Sequence, residues 1–161
     1  MQARDIMNTD FHVVHPEDSI AAAALQFEVA SGKEGRKVFG LMVVDDSDHL
    51  VGMLSMYDIL IFLQPKNMQV WGEMEDMNPD RLFDASLDKV RGVQVGDIMT
   101  PDVVTVTPHA HILAVSDIMI KKHIRRLPVI DGNKIVGIVY VSDVFRHLSK
   151  KISTQGAPCP R

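Results

Sequence analysis

The sequence predicts an α+β fold built from two β-α-β-β-α repeats, packed sheet to sheet with pseudo-twofold symmetry. Three observations carry this. The chain repeats itself, each repeat alternates apolar runs with helix-period stretches, and neither repeat is large enough to cover its own sheet. Asp5-Ile6-Met7 recurs as Asp97-Ile98-Met99 at an offset of 92, in register with Val14 and Val106, Pro16 and Pro108, and Ile20 and Ile112. Val51-Gly52 recurs as Val136-Gly137, and Asp58 as Asp143, at an offset of 85. The seven extra residues of the first copy fall in two loops, six around 31–36 and one in 46–49, where Gly and charged residues tolerate insertion. A unit of about 60 residues with strands apolar nearly throughout cannot bury both faces of its sheet alone.

Each element follows in order. A short helical turn carries Asp-Ile-Met, and an extended segment comes next, 11–14 and then 103–106. Pro16 and Pro108 precede helices. The first has Ile20, Ala24 and Phe27 at i, i+4 and i+7; the second has Ile112, Val115 and Met119 at i, i+3 and i+7. Two apolar strands follow in each copy, 41–44 with 50–54 and 127–130 with 135–141, joined by Asp/Gly/Asn/Ser turns that signal hairpins. A last helix follows Asp58 (Ile59, Leu60, Leu63) and Asp143 (Val144, Leu148). The division expected is repeat 1 over 1–63, a connector over 64–93, repeat 2 over 94–150 and a flexible tail over 151–161. The connector holds Trp71, Glu73-Met74-Glu75-Asp76 and a short helix over 81–90. It reads as a wrap on its own module, with a partner contact through Trp71 and the methionines as the alternative.

Composition bounds the function. Hydrophobic residues make up 46% and charged residues 24%, an ordinary soluble composition, and aromatics only 6%, so the core is aliphatic. The net charge of −4 argues against bulk nucleic-acid binding through Lys121, Lys122, Arg125 and Arg126. One cysteine, Cys159, excludes an internal disulfide and suits a reducing cytosol. No apolar run reaches membrane-spanning length, and Met1-Gln2-Ala3-Arg4-Asp5 lacks a signal peptide's apolar region. The expectation is a cytoplasmic protein without a membrane anchor.

The sequence offers no catalytic apparatus. It has no phosphate-binding Gly-rich loop, no dinucleotide fingerprint and no Ser or Cys nucleophile elbow. His109 and His111, at i and i+2, point to different helix faces without Cys or carboxylate partners, so neither an enzyme nor a metal site is expected. Asp58 and Asp143 read locally as helix-capping or dipole-complementing acids, and Arg125 and Arg126 as cations closing a helix over 112–123.

The combined pattern resembles the CBS (cystathionine β-synthase) domain: Asp-Ile-Met, extended segment, Pro, amphipathic helix, Leu127-Pro128-Val129-Ile130-Asp131, Gly turn, Val136-Gly137-Ile138-Val139 and Asp143. Its copies work in pairs called Bateman modules, and the match reads as a stand-alone pair. The resemblance implies two clefts between the repeats that take adenine nucleotides such as AMP, ADP or ATP as regulatory ligands, or S-adenosylmethionine or NAD in some members.

The family signature Gly-h-h-Ser/Thr-x-x-Asp, where h is apolar, is complete in Gly52-Met53-Leu54-Ser55-Met56-Tyr57-Asp58. In the second copy Tyr140 replaces the Ser or Thr. By that resemblance Asp58 grips the ribose and Arg125-Arg126 the phosphate. Ser55, Met53, Tyr57, Val103, Val104, Ile124 and Pro128 line the same site. A second, weaker site would draw on Asp143, Tyr140, Ser142, Phe11, His12 and Phe39. It has Phe39-Gly40 where the basic pair should be, unless Arg36 or Lys37 reaches in. The chemistry fits: a carboxylate accepts two hydrogen bonds from a vicinal diol, and Arg donates in pairs to phosphate. The resemblance also implies a homodimer, parallel or antiparallel, and a regulated protein partner. The rival reading is a ligand-free scaffold with its clefts filled by Tyr140 and Phe39.

Overall fold

The computed structural model describes residues 1–35, 38–64 and 78–154. Arg36, Lys37, Trp71 with its acidic neighbours, and the last seven residues lie outside the described residues.

The elements run as a 3-10 turn Ala3–Asp5, β1 (Val13–Val14), α1 (Ile20–Glu34), β2 (Gly40–Val44), β3 (Leu50–Ser55), α2 (Met56–Leu63), α3 (Pro79–Arg91), α4 (Val95–Ile98), α5 (Ile112–Lys122), β4 (Arg126–Asp131), β5 (Lys134–Tyr140) and α6 (Val141–Thr154). The α+β class holds. The chain divides into two compact units. The central unit is His12–Val103, and the two-segment unit joins Met1–Phe11 to Val104–Arg161.

In the central unit β1 pairs parallel with β2, and β2 antiparallel with β3. In the two-segment unit β4 and β5 form an antiparallel pair, and Val106 makes a single parallel bridge to Val129. The expected strand over 103–106 therefore reduces to one bridging residue. Both hairpins shift register at the same place, Val43/Val44 and Val129/Ile130. The repeat thus extends to an irregularity of the backbone.

The repeats exchange their Asp-Ile-Met turns. Asp97-Ile98-Met99 belongs to the central unit and Asp5-Ile6-Met7 to the two-segment unit, so each turn packs with the other repeat's hairpin. Equivalent hydrogen bonds hold each turn. Val95 N–H donates to the Asp18 carbonyl and Ile20 N–H to the Val93 carbonyl, both at 2.8 Å. Ala3 N–H donates to Ala110 (2.8 Å) and Ile112 N–H to Met1 (3.1 Å). The acids of the two turns act alike within their own segments. Asp5 accepts from Gln2 N–H (2.8 Å) and Asp97 from Gln94 N–H (3.2 Å). Each carboxylate satisfies a donor that a helix start leaves over.

The central core gathers Val14, Ile20, Ala23, Phe27, Ala30, Leu41, Val43, Leu54, Val90 and Val95. The other gathers Ala3, Ile6, Ile112, Val115, Met119, Leu127, Val129, Val139 and Val144. One expectation is corrected: α1 buries Ala23, not Ala24, because its inward stripe runs Ile20, Ala23, Phe27, Ala30. Alanine fits either phase, so the run of four alanines hid the choice. In the connector α3 packs on α1 and α2, with Lys89 Nζ 5.3 Å from the Phe62 ring centroid. Lys151 to Thr154 belong to α6 and not to a tail. Among the described residues no helix is long and apolar enough to cross a membrane.

Candidate functional site

The candidate side chain held by a reciprocal capping box is Asp58. β3 ends at Ser55, whose extended backbone (φ −109°, ψ 157°) starts α2. Asp58 lies in the first turn of α2, not ahead of the helix as expected. Ser55 N–H and Ser55 Oγ–H both donate to Asp58 Oδ2, at 2.7 and 2.6 Å, and Asp58 N–H donates back to Ser55 Oγ at 3.1 Å. This reciprocal box caps the helix. It also fixes the carboxylate, and Oδ1 takes no hydrogen bond among the described residues. The capping reading and the ligand reading therefore describe one arrangement: one oxygen holds the helix, the other is free to accept.

Around it, Met53 is half-buried and its backbone is fully used, donating to Thr100 (2.9 Å) and accepting from Thr100 (2.8 Å). Only its side chain can meet a ligand. Tyr57 is 70% exposed. Val103 N–H donates to the Pro101 carbonyl at 3.1 Å. Neither the amide nor the carbonyl of Val104 has a partner among the described residues, although its side chain packs on the two-segment core. Residues 103–105 are irregular rather than a strand, which leaves the Val104 peptide without a ladder partner among the described residues.

In the two-segment unit α5 stops at Lys122, one residue short of the expected end, and His123 turns left-handed (φ 53°) as its cap. Lys121 and Lys122 therefore complement the helix terminus. Arg125 and Arg126 lie beyond it, Arg125 exposed and Arg126 half-buried as the first residue of β4. Val141 N–H donates to the Arg125 carbonyl (2.9 Å), which ties this corner to the start of α6. Ile124 is half-buried on the core, and Pro128 is buried with its carbonyl accepting from Val106 N–H (3.0 Å).

The second set differs chemically. Tyr140 ends β5 where Ser55 ends β3, so α6 has no serine cap. Asp143 is only 6% exposed and also lies within the first helical turn. Arg146 Nη1 lies 3.5 Å from its Oδ1, one turn along α6. Sequence reading missed Arg146; the Asp143/Arg146 i, i+3 spacing was the available signal. Ser142 and Phe39 are exposed, Tyr140, Phe11 and His12 half-buried. Phe39 has a backbone role, its carbonyl accepting from Met56 N–H at 3.1 Å. His111 Nδ1 accepts from Leu113 N–H at 3.3 Å, so it caps α5. No group of three or more metal-ligating side chains gathers among the described residues.

A family model described as the CBS domain matches residues 3–65 and 95–150. The chloroplastic CBS domain-containing protein CBSX2 of Arabidopsis thaliana is 30% identical over 150 residues, covering 85% of this chain and 58% of that protein. CBSX1, chloroplastic and from the same plant, is 32% identical over 147 residues with the same shares. The chain thus spans 58% of the length of these two relatives. The crystal structure of CBSX2 matches with a TM-score of 0.72 at 28% identity, covering 96% of this chain and 98% of that one. CBSX2 in complex with AMP matches with a TM-score of 0.67 at 28% identity, covering 94% and 98%.

Proposed function

The chain belongs to the CBS domain family, and from that premise we propose that it is a regulatory module that binds an adenine nucleotide, AMP or ATP, and catalyses no reaction itself. The observation that carries this is the Ser55–Asp58 box, which orients a carboxylate and leaves one oxygen for a ribose diol. The AMP complex of CBSX2 supports the ligand class. In this reading Asp58 takes the ribose and Arg125 and Arg126 the phosphate. Val104 offers its peptide edge to the base, beside Met53, Ile124 and Pro128, and Tyr57 and Val103 lie at the margin. The set around Asp143 binds less well, since its acid is already engaged by Arg146 and Phe39-Gly40 replaces the basic pair. The working form is a homodimer in the cytoplasm that a protein partner reads. A nucleotide shifts its state only by binding two states unequally.

The test is calorimetry and thermal shift with AMP, ADP, ATP, S-adenosylmethionine and NAD, on the wild type and on Asp58→Ala. A ligand at 100 times its dissociation constant stabilises by about 2.7 kcal/mol. Binding by an adenine nucleotide that is lost in Asp58→Ala supports the proposal. No shift with any ligand leaves the scaffold reading, and loss in Asp143→Ala instead reassigns the site.

A further inference from the structure

The described methionines fall into different environments. Met42 and Met119 are sealed in the interior, at 1% and 4% exposure. Met7 and Met99 are only half-buried, and they hold equivalent places in the two repeats. Each ends an Asp-Ile-Met turn and lays its side chain over a buried glycine of a hairpin. Met99 covers Gly52 within the central unit, and Met7 covers Gly137 within the two-segment unit. A single carbon added to either glycine would stand 2.5 Å from Met99 Sδ or 2.8 Å from Met7 Sδ, so no atom fits between sulfur and backbone.

The backbone beside each thioether is fully engaged. Thr100 and Met53 exchange two hydrogen bonds (2.8 and 2.9 Å), and so do Asn8 and Ile138 (2.8 and 2.9 Å). The methionine amides are used as well, Met99 N–H donating to the Val95 carbonyl (2.9 Å) and Met7 N–H to the Ala3 carbonyl (2.8 Å). Such a place accepts a thioether and rejects a sulfoxide. An oxygen on sulfur makes the apolar side chain polar. Toward the glycine it has no room, and these neighbouring amides have no proton left to give it. A polar atom without a donor is disfavoured there.

We propose that Met99 and Met7 are oxidative modification sites. Hydrogen peroxide converts each thioether to a sulfoxide, and the oxidised side chain leaves its notch and frees the Asp-Ile-Met turn from the hairpin. A sulfur lone pair attacks one peroxide oxygen, the O–O bond breaks and an S–O bond forms. The sulfur loses two electrons, and the other oxygen leaves as water. Thiol-dependent methionine sulfoxide reductases reverse the step. Met53 lies on the strand that ends at Ser55, so the Met99 sulfoxide also loosens the support of the Ser55–Asp58 box. That last consequence rests on the nucleotide reading proposed above.

The test treats the full folded chain with hydrogen peroxide, maps sulfoxides by peptide mass spectrometry and follows thermal melting. Met7 and Met99 should oxidise while Met42 and Met119 stay reduced. The melting temperature should fall by at least about 4 °C. Treatment with both epimer-specific reductases should restore it. Met7→Leu with Met99→Leu keeps the apolar volume without a thioether and should hold its melting temperature through the same dose. The repair arm needs no variant, so it decides the question even if that variant folds poorly. Met7 and Met99 that stay reduced, or that oxidise without a change in melting, would overturn the proposal. A well-folded double variant that loses as much as the wild type would do so too. Calorimetry with AMP separates this proposal from the nucleotide reading. Oxidised protein should bind AMP roughly tenfold or more weakly, the loss expected when a charged hydrogen-bond partner is displaced. Unchanged affinity would overturn the coupling to Asp58. Untreated protein that ignores AMP would overturn the nucleotide reading, and melting would still decide the methionine sites.

Discussion

The Met99 thioether occupies the space where a side chain at Gly52 would begin: a Cβ there would stand 2.5 Å from Met99 Sδ. The second repeat copies the relationship, with a Cβ on Gly137 2.8 Å from Met7 Sδ. Each signature glycine is thus a notch for the methionine of the exchanged Asp-Ile-Met turn. The notch lets Thr100 lie against Met53, and Asn8 against Ile138, in paired backbone hydrogen bonds.

The two notches should respond differently to filling. Gly52→Ala meets first the flexible end of Met99, and then the Thr100 carbonyl at 3.1 Å. Gly137→Ala meets backbone almost as closely, the Asn8 carbonyl at 2.9 Å. Each overpacked variant should lose about 1–3 kcal/mol in chemical denaturation. Adding Met99→Ala should recover part of the first loss, whereas adding Met7→Ala should recover less of the second, since a peptide cannot step aside as a thioether can.

Ser55→Ala removes both the helix cap and one of the two bonds on Asp58 Oδ2. Loss of such a cap costs about 1 kcal/mol of stability. Nucleotide affinity should fall as well, because the freed carboxylate samples more rotamers. Ser55→Thr should restore both. Denaturation and calorimetry on the three proteins check this, and stability lost without affinity would reduce Ser55 to a cap.

Replacing Arg125 and Arg126 together by Ala should weaken AMP far more than adenosine. Charge-assisted hydrogen bonds contribute about 1.5–3 kcal/mol, so a loss of roughly tenfold or more is expected for AMP, with adenosine nearly unchanged. Calorimetric titration of both ligands reads the difference. Equal losses would move the pair from phosphate contact to maintenance of the β4 corner.

The hairpin turn before β3 should add an acid-sensitive element. Asp45 is held below its ordinary 3.8, chiefly by the hydrogen bond it accepts from His49 N–H and also by that from Ser47 N–H, both at 2.9 Å. A carboxyl whose folded value is depressed stabilises the fold above its unfolded value, and that contribution disappears as pH falls through the folded value. Wild type and Asp45→Ala should therefore differ by a constant amount at neutral pH and converge below about pH 4. Denaturation midpoints across that range measure it, and a gap that persists in acid would contradict it.

Much of this was legible in the residues. Ile112, Val115 and Met119 are buried as their spacing predicts, and the hairpins fall where apolar runs flank Asp- and Gly-rich turns. The errors occurred where local chemistry is degenerate. Ala23 and Ala24 are equivalent as residue types, and only packing chose between them. Asp58 reads equally well before a helix or inside its first turn, because the capping box needs a spacing of three residues and not a boundary. Residues 103–105 have the composition of a strand but no edge to pair with, apart from Val106 on Val129.

The sequence by itself determined the repeat, the elements and the signature acid Asp58. These depend on residue type and short spacing, which the chain displays directly. Tertiary structure alone decided that the Asp-Ile-Met turns are exchanged and that Gly52 and Gly137 are notches for Met99 and Met7. These join residues 47 and 130 positions apart, and local pattern has no range over such distances. Packing set both, because a side chain fits only the space another leaves.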